Sequence, residues 1–279
     1  MAGTLYLVPT PIGNLGDISA RIAKTLEDVD FIAAEDTRIS VKLLNHLGLK
    51  KPMVSYYRHN SGPSGRAILE RMLSGESCAL VTDAGTPAVS DPGEELVALC
   101  AENDVNVIAI PGPCALVTAL AVSGLPTGRF TFEGFLAMNK KNRKAHLDSL
   151  KTETRTMIFY EAPHKLTATL TDLLAAFGPD RRISLCRELS KLHEEIRRTT
   201  LGEAVTLYAE NSPKGEFVLV LEGCAELVDV PVTEEDALEQ VSVLRGQGLS
   251  LKDAVRQVSL SAGMPKNQLY DLAVAQSSQ

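Results

Sequence analysis

The sequence predicts an α/β protein: two α/β units followed by a small helical tail. Three observations carry this. In the first half, short apolar runs alternate with segments of helical periodicity, the pattern of a mainly parallel sheet covered on both faces. Gly124, Pro126 and Gly128 then cluster at a boundary around Leu125–Arg129, and a second strand–helix alternation follows. From Pro231 onward the pattern is helical only. The chain therefore divides into 1–125, 126–228 and 229–279, with the residues around Asp229 as a linker.

In order, Thr4–Val8 reads as a strand, Pro9–Asp17 as a turn, and a helix opens near Asp17 or Ser19. Phe31–Ala34 is a second strand. The helix over Thr37–Leu47 places Val41, Leu44 and Leu47 on one face and stops at Gly48. Met53–Tyr56, Cys78–Val81 and Val105–Ile110 are further strands. Helices follow them over Ser64–Leu73, over Glu94–Glu102 and up to Ser123. Beyond the boundary, the next feature is a basic stretch, Asn139–Lys144, read as a loop. Strands then fall at Met157–Tyr160, Arg182–Arg187, Glu194–Leu201 and Phe217–Leu221, with helices at His164–Phe177 and Glu203–Asn211. The tail helices are Glu234–Arg245, Leu251–Val258 and Lys266–Ala275.

Composition narrows the function. The formal net charge of −7 argues against bulk attraction to nucleic acid or membrane, leaving only local basic faces. Five scattered cysteines, without a Cys-x-x-Cys pair or a His pair at metal-ligand spacing, read as reduced thiols of a cytoplasmic protein with no metal. No basic segment or cleavage site of a signal peptide precedes Thr4, and no apolar stretch approaches the roughly 18–20 residues of a membrane span.

Three strand-to-helix turns carry Gly and Pro: Pro9–Asn14, the run Leu80–Gly93, and Pro111–Ala115. In a parallel sheet all three lie at the carboxyl edge, where ligands bind. None is a nucleotide loop, since both Gly-x-Gly-x-x-Gly in the first turn and Gly-Lys-Ser/Thr anywhere are missing. Their prolines remove N–H donors, so they suit a positively charged ligand better than an anion. Glu35 and Asp36 end a strand on the same edge, where Asp36 or Thr37 is also a natural helix cap. Phe159–Lys165 and the charged run Arg187–Glu195 end strands of the second unit. Basic groups occur at Lys140, Lys141, Arg143 and Lys144, at Arg181 and Arg182, and at Arg197 and Arg198. In the tail, Lys266, Asn267, Gln268 and Tyr270 open the second helix of a helix–turn–helix-like hairpin.

Taken in order, six segments resemble one family. They are Tyr6–Leu15, Ala34–Arg38, Thr82–Pro87 with Ser90–Gly93, Pro111–Pro113, Phe159–His164 and Gly215–Val218. The family is that of the bacterial 16S ribosomal RNA cytidine 2′-O-methyltransferases (RsmI type), in the tetrapyrrole methylase superfamily of S-adenosylmethionine enzymes. The resemblance covers nearly the whole chain. It departs at Phe135-Leu136-Ala137, where the family often has Phe-Leu-Pro.

The resemblance implies two α/β domains with the cofactor in the cleft between them, and a homodimer. It implies donor contacts at Ala84, Gly85, Thr86, Val89, Cys114, Ala115, Glu161 and Leu189, with Pro11 and Gly13 from the first turn. For methyl transfer to a ribose hydroxyl, Glu35, Asp36 and Glu188 are the candidate bases and Lys191 the electrostatic support. Lys140, Lys141, Arg143 and Lys144 are the candidate RNA contacts, with 16S rRNA or the 30S subunit as partner. A small-molecule methyltransferase on the same fold and a non-catalytic RNA-binding protein are the alternatives.

Overall fold

The computed structural model describes residues 1–209, 214–225 and 233–277. They form two compact units, residues 1–224 and residues 225–279. The linker expected around Asp229 lies outside the described residues.

The first sheet contains β1 (Thr4–Leu7), β2 (Phe31–Ala34), β3 (Met53–Ser55), β4 (Cys78–Val81) and β5 (Asn106–Ala109) in the order β3-β2-β4-β1-β5. Every pairing in it is parallel. Its connecting helices are α1 (Ala20–Asp28), α2 (Thr37–His46), α3 (Ser61–Leu73), α4 (Glu94–Glu102) and α5 (Ala115–Val122). Because side chains alternate along a strand, β2 serves two cores. Phe31 and Ala33 join Ile68 and Met72 of α3 and Leu96 of α4 on one face. Ile32 and Ala34 join Ile22 and Leu26 of α1 and Leu44 of α2 on the other. Ser19 caps α1 by accepting from the Ile22 amide, and Asp36 caps α2 by accepting from the Arg38 amide.

The second sheet is mixed: β6 (Phe130–Phe135), β7 (Thr156–Glu161), β8 (Arg182–Arg187), β9 (Glu195–Thr200) and β10 (Phe217–Leu221) in the order β6-β7-β10-β8-β9. Only β6–β7 is parallel. The structure departs from the sequence expectation at two places. β6 replaces the featureless segment after the boundary. Its register shifts between Phe132 and Gly134, a bulge that interrupts the strand's alternation. The basic stretch is a helix, α6 (Lys140–Ser149), because the Asn139 side chain accepts from the Lys141 and Asn142 amides.

Helices α6, α7 (Leu166–Phe177) and α8 (Leu201–Ala209) contribute to the core on one face of this sheet. The other face is covered by α5, whose Leu116, Ala119 and Leu120 pack against Ile158, Val218 and Val220. The apolar composition of α5, Ala-Leu-Val-Thr-Ala-Leu-Ala-Val, fits this burial. The Arg198 guanidinium donates to the Val122 and Ser123 carbonyls, satisfying the carboxyl end of α5 from β9. The two α/β halves thereby share one apolar seam.

In the second unit, α9 (Glu234–Gly246), α10 (Leu251–Ala262) and α11 (Lys266–Ser277) enclose a core of their own around Val241, Val255, Val258 and Leu269. Thr233 and Asp236 form a reciprocal capping box at the start of α9. None of the described helices is long and apolar enough to cross a membrane.

Candidate active site

The three Gly/Pro turns meet at the carboxyl edge of the parallel sheet and are tied together. Thr10 and Gly85 exchange backbone hydrogen bonds of 2.9 and 3.0 Å. The Thr10 hydroxyl donates to the Thr82 carbonyl at 3.0 Å, and the Thr86 hydroxyl donates to the Pro113 carbonyl at 2.9 Å. From the second sheet, the Tyr160 hydroxyl accepts from the Leu116 amide at 3.1 Å, at the start of α5. These bonds hold the ends of β1, β4 and β5 against β7.

A cavity of about 560 Å³ lies at this junction, within the range of small-molecule sites. Ala84, Gly85, Thr86, Val89, Cys114 and Ala115 line it from the first half. Phe135, Tyr160, Glu161, Leu189 and Val218 line it from the second. Its polar side is acidic: six carboxylates (Glu35, Asp83, Asp91, Glu161, Glu188, Glu216) face one ammonium, that of Lys191. The Thr82 hydroxyl donates to Glu35 Oε2 at 2.7 Å. Burial, and then the negative charge of Glu35, push the Asp91 carboxyl up to about 6. Burial and Glu35 raise Asp83 as well.

Glu161 is only 4% exposed. Its Oε1 accepts from the Ala162 amide at 2.8 Å and its Oε2 from the Thr169 hydroxyl. That hydroxyl in turn accepts from Arg143 Nη2 at 2.7 Å, while Arg143 Nε pairs with Asp172. A buried carboxylate and a guanidinium are thus joined through one threonine.

The segment Glu188–Lys191 crosses between the halves. Lys191 Nζ bridges Glu188 at 2.8 Å and Glu216 at 3.0 Å, which holds the Glu188 carboxyl below its ordinary range. Ser190 donates to Asp17 in the first turn. The lysine stem lies so close to Gly13 that a Cβ there would sit 2.3 Å from Lys191 Cγ. A Cβ at Gly215 would likewise meet Glu188 at 2.4 Å, so both glycines are needed for the approach. Among the described residues, five non-glycines have positive φ, and four of them (Ala88, Ser90, Glu188, Ser190) lie on the loops around this cavity. Such conformations are held at a cost and concentrate at functional sites.

The structure brings together at this cavity Glu35, Glu188, Lys191 and every residue expected at the donor except two. Pro11 and Gly13 instead line a neighbouring, smaller cavity. Asp36 lies outside the large cavity. Bonds to Arg38 hold its carboxyl at about 2, so it acts as a helix cap and a poor base. Lys140, Lys141 and Lys144 are exposed on α6, whereas Arg143 turns inward to Thr169 and Asp172. From the sequence, Asp91 has only a part in holding the shape of its turn, and Thr82 and Tyr160 have no individual role. The signal for Asp91 was its place in the Leu80–Gly93 run, but its closeness to Glu35 is a tertiary contact.

Residues 4–205 match the family model of tetrapyrrole (corrin/porphyrin) methylases. Ribosomal RNA small subunit methyltransferase I of Synechocystis sp. is 47% identical over 272 residues, 98% of each chain. The chain belongs to this methyltransferase family, within the tetrapyrrole methylases. The methyltransferase I of Halalkalibacterium halodurans is 46% identical, covering 97% of this chain and 94% of its own. Among solved structures, the methyltransferase CobJ superposes with a TM-score of 0.60 at 17% identity, over 80% of this chain and 95% of its own. Uroporphyrin-III C-methyltransferase from Thermus thermophilus, complexed with S-adenosylhomocysteine, superposes with a TM-score of 0.57 at 17% identity, over 79% and 97%. At that identity the likeness to these two solved structures is one of fold.

Proposed function

We propose that the chain transfers a methyl group from S-adenosylmethionine to the ribose 2′-hydroxyl of a cytidine in 16S ribosomal RNA. The observation that carries this reading is the acidic cavity where the three tied turns meet the second sheet. Its apolar wall suits an adenosine and a thioether chain, and its carboxylates suit the positive charge of a sulfonium. The family relationship supports the RNA as acceptor.

When bound, the sulfonium supplies an activated methyl group. The chain's own residues do the rest. The tied turns Pro9–Asn14, Thr82–Thr86 and Pro111–Ala115 orient the donor, and Leu189 and Val218 close the apolar side. Glu161, held by Thr169 and its neighbouring amide, fixes the end of β7 against the donor. Alignment of the reacting atoms accounts for most of such a reaction. Glu35, oriented by Thr82, receives the hydroxyl proton, and the Asp91 carboxyl lies beside it. Lys191 neutralises Glu188 and Glu216 at the rim.

Lys140, Lys141 and Lys144 form an exposed basic edge for phosphate contacts with 16S rRNA or the 30S subunit. A homodimer and a cytoplasmic location complete the reading and rest on the family resemblance. Calorimetry and single-turnover methylation test it together. S-adenosylmethionine should bind, and Glu35→Gln or Asp91→Asn should slow transfer by about a hundredfold with S-adenosylhomocysteine affinity retained. Absence of donor binding at millimolar concentration would leave a non-catalytic RNA-binding protein. Transfer to tetrapyrroles but not to RNA would leave a small-molecule enzyme.

A further inference from the structure

A second cavity, of about 270 Å³, adjoins the first. The two share Thr82 and Asp83 in their walls. Its other walls are Pro11 and Leu15 of the first turn and Ile39, Lys42 and Leu43 of α2. Four features bear on what it takes. Leu15 and Ile39, large aliphatic residues, are 49% and 39% exposed. Lys42 is exposed and makes no ion pair among the described residues. Asp83 Oδ1 is shut away from solvent without a hydrogen-bond partner. The volume falls just below the roughly 300 Å³ at which drug-sized sites begin, which suits a ligand fragment rather than a whole cofactor.

We infer that this cavity receives a single unstacked pyrimidine nucleotide of the RNA substrate, with its base against the aliphatic walls and its ribose toward the Thr82–Asp83 partition. The inference rests on the donor assignment above. Proteins that read RNA by sequence splay single-stranded bases out and contact their exposed edges and faces. A carboxylate side chain at that partition is the complement of a ribose hydroxyl, which can donate to it. Lys42 at the rim meets a flanking phosphate. The shared partition also puts the ribose of such a nucleotide next to the donor cavity.

The test uses the full chain, S-adenosylhomocysteine, and small ribosomal subunits from a strain lacking the activity. Ile39→Glu places a carboxylate on the exposed rim of the small cavity, away from the donor residues. It should raise the KM for subunits about tenfold and leave the S-adenosylhomocysteine Kd within twofold, a difference of about 1.4 kcal/mol confined to the acceptor. Lys42→Ala should lower the salt dependence of RNA binding by about one unit of slope. An unchanged KM and RNA Kd for Ile39→Glu would overturn the inference. So would a matching loss of S-adenosylhomocysteine affinity, which would make the cavity part of the donor site. Filter-binding of RNA reads the cavity even if no methyl transfer is detected. Failure of the unmodified protein to bind S-adenosylhomocysteine would instead count against the donor assignment.

Discussion

Thr169 is the residue on which the back of the candidate site depends. Its hydroxyl donates to the buried Glu161 carboxylate and accepts from Arg143. A buried charge is tolerated only when its hydrogen bonds are supplied. Thr169→Val keeps the shape and removes the bridge, which should cost about 1–3 kcal/mol. Thermal unfolding should register that loss and calorimetry a weaker S-adenosylhomocysteine Kd, both restored by Thr169→Ser. Stability and affinity equal to the unmodified protein would refute the bridge.

Asp91 permits a second test at this scale. Its carboxyl, at about 6 in the folded chain against an ordinary 3.8, faces Glu35, Asp83 and Thr82, with Arg58 acting in the opposite sense. The folded state therefore holds a proton that the unfolded chain loses. Stability from this group is present below pH 3.8 and disappears as pH rises through about 6. A sulfonium cation entering the cavity pulls the value back down. At pH 6, S-adenosylmethionine binding should release more protons than binding of S-adenosylhomocysteine, which lacks the sulfonium charge, measured by calorimetry in buffers of different ionisation enthalpy. Asp91→Asn should abolish the difference.

At the scale of elements, α6 divides its basic residues between two tasks. Lys140, Lys141 and Lys144 are exposed, whereas Arg143 anchors the helix to α7 through Asp172 and Thr169. Replacing the three lysines together by alanine should raise the KM for RNA and reduce the salt slope by about two to three units. S-adenosylhomocysteine affinity should stay unchanged, because none of the three lines the donor cavity. An unaltered salt slope would remove this helix from the RNA interface. The same division explains why a charge cluster misleads as a motif: one of its four members is structural. Helix α5 gives the opposite lesson, since its apolar sequence is explained by the sheet face it covers.

At the scale of the whole molecule, residues 1–224 and 225–279 are separate compact units, and the tail has its own core. A chain ending at residue 224 should therefore keep its fold and its S-adenosylhomocysteine affinity. Its methylation of small subunits should fall, read as kcat/KM, if the tail's Lys266 and Tyr270 contact RNA. Full activity of the shortened chain would assign the tail to some other task.

Local pattern determined much of this protein. Alternation and turn residues were enough to give the α/β class, the strands β1, β2, β4, β7, β8 and β10, and the carboxyl-edge turns. These depend on periodicity and on Gly and Pro chemistry, which a linear reading detects. Strand β6 escaped because its bulge breaks the period of two, and α6 because its charges resembled a loop. Tertiary structure alone decided which acidic residues share a cavity. Asp36 and Glu35 are neighbours in the chain, yet one caps a helix and the other faces Asp91. Only folding placed Pro11 and Gly13 at a second cavity, and Arg143 behind Glu161 through Thr169. The reason is physical: a residue's charge state and contacts are set by what other segments bring within a few ångströms, and sequence distance does not encode that.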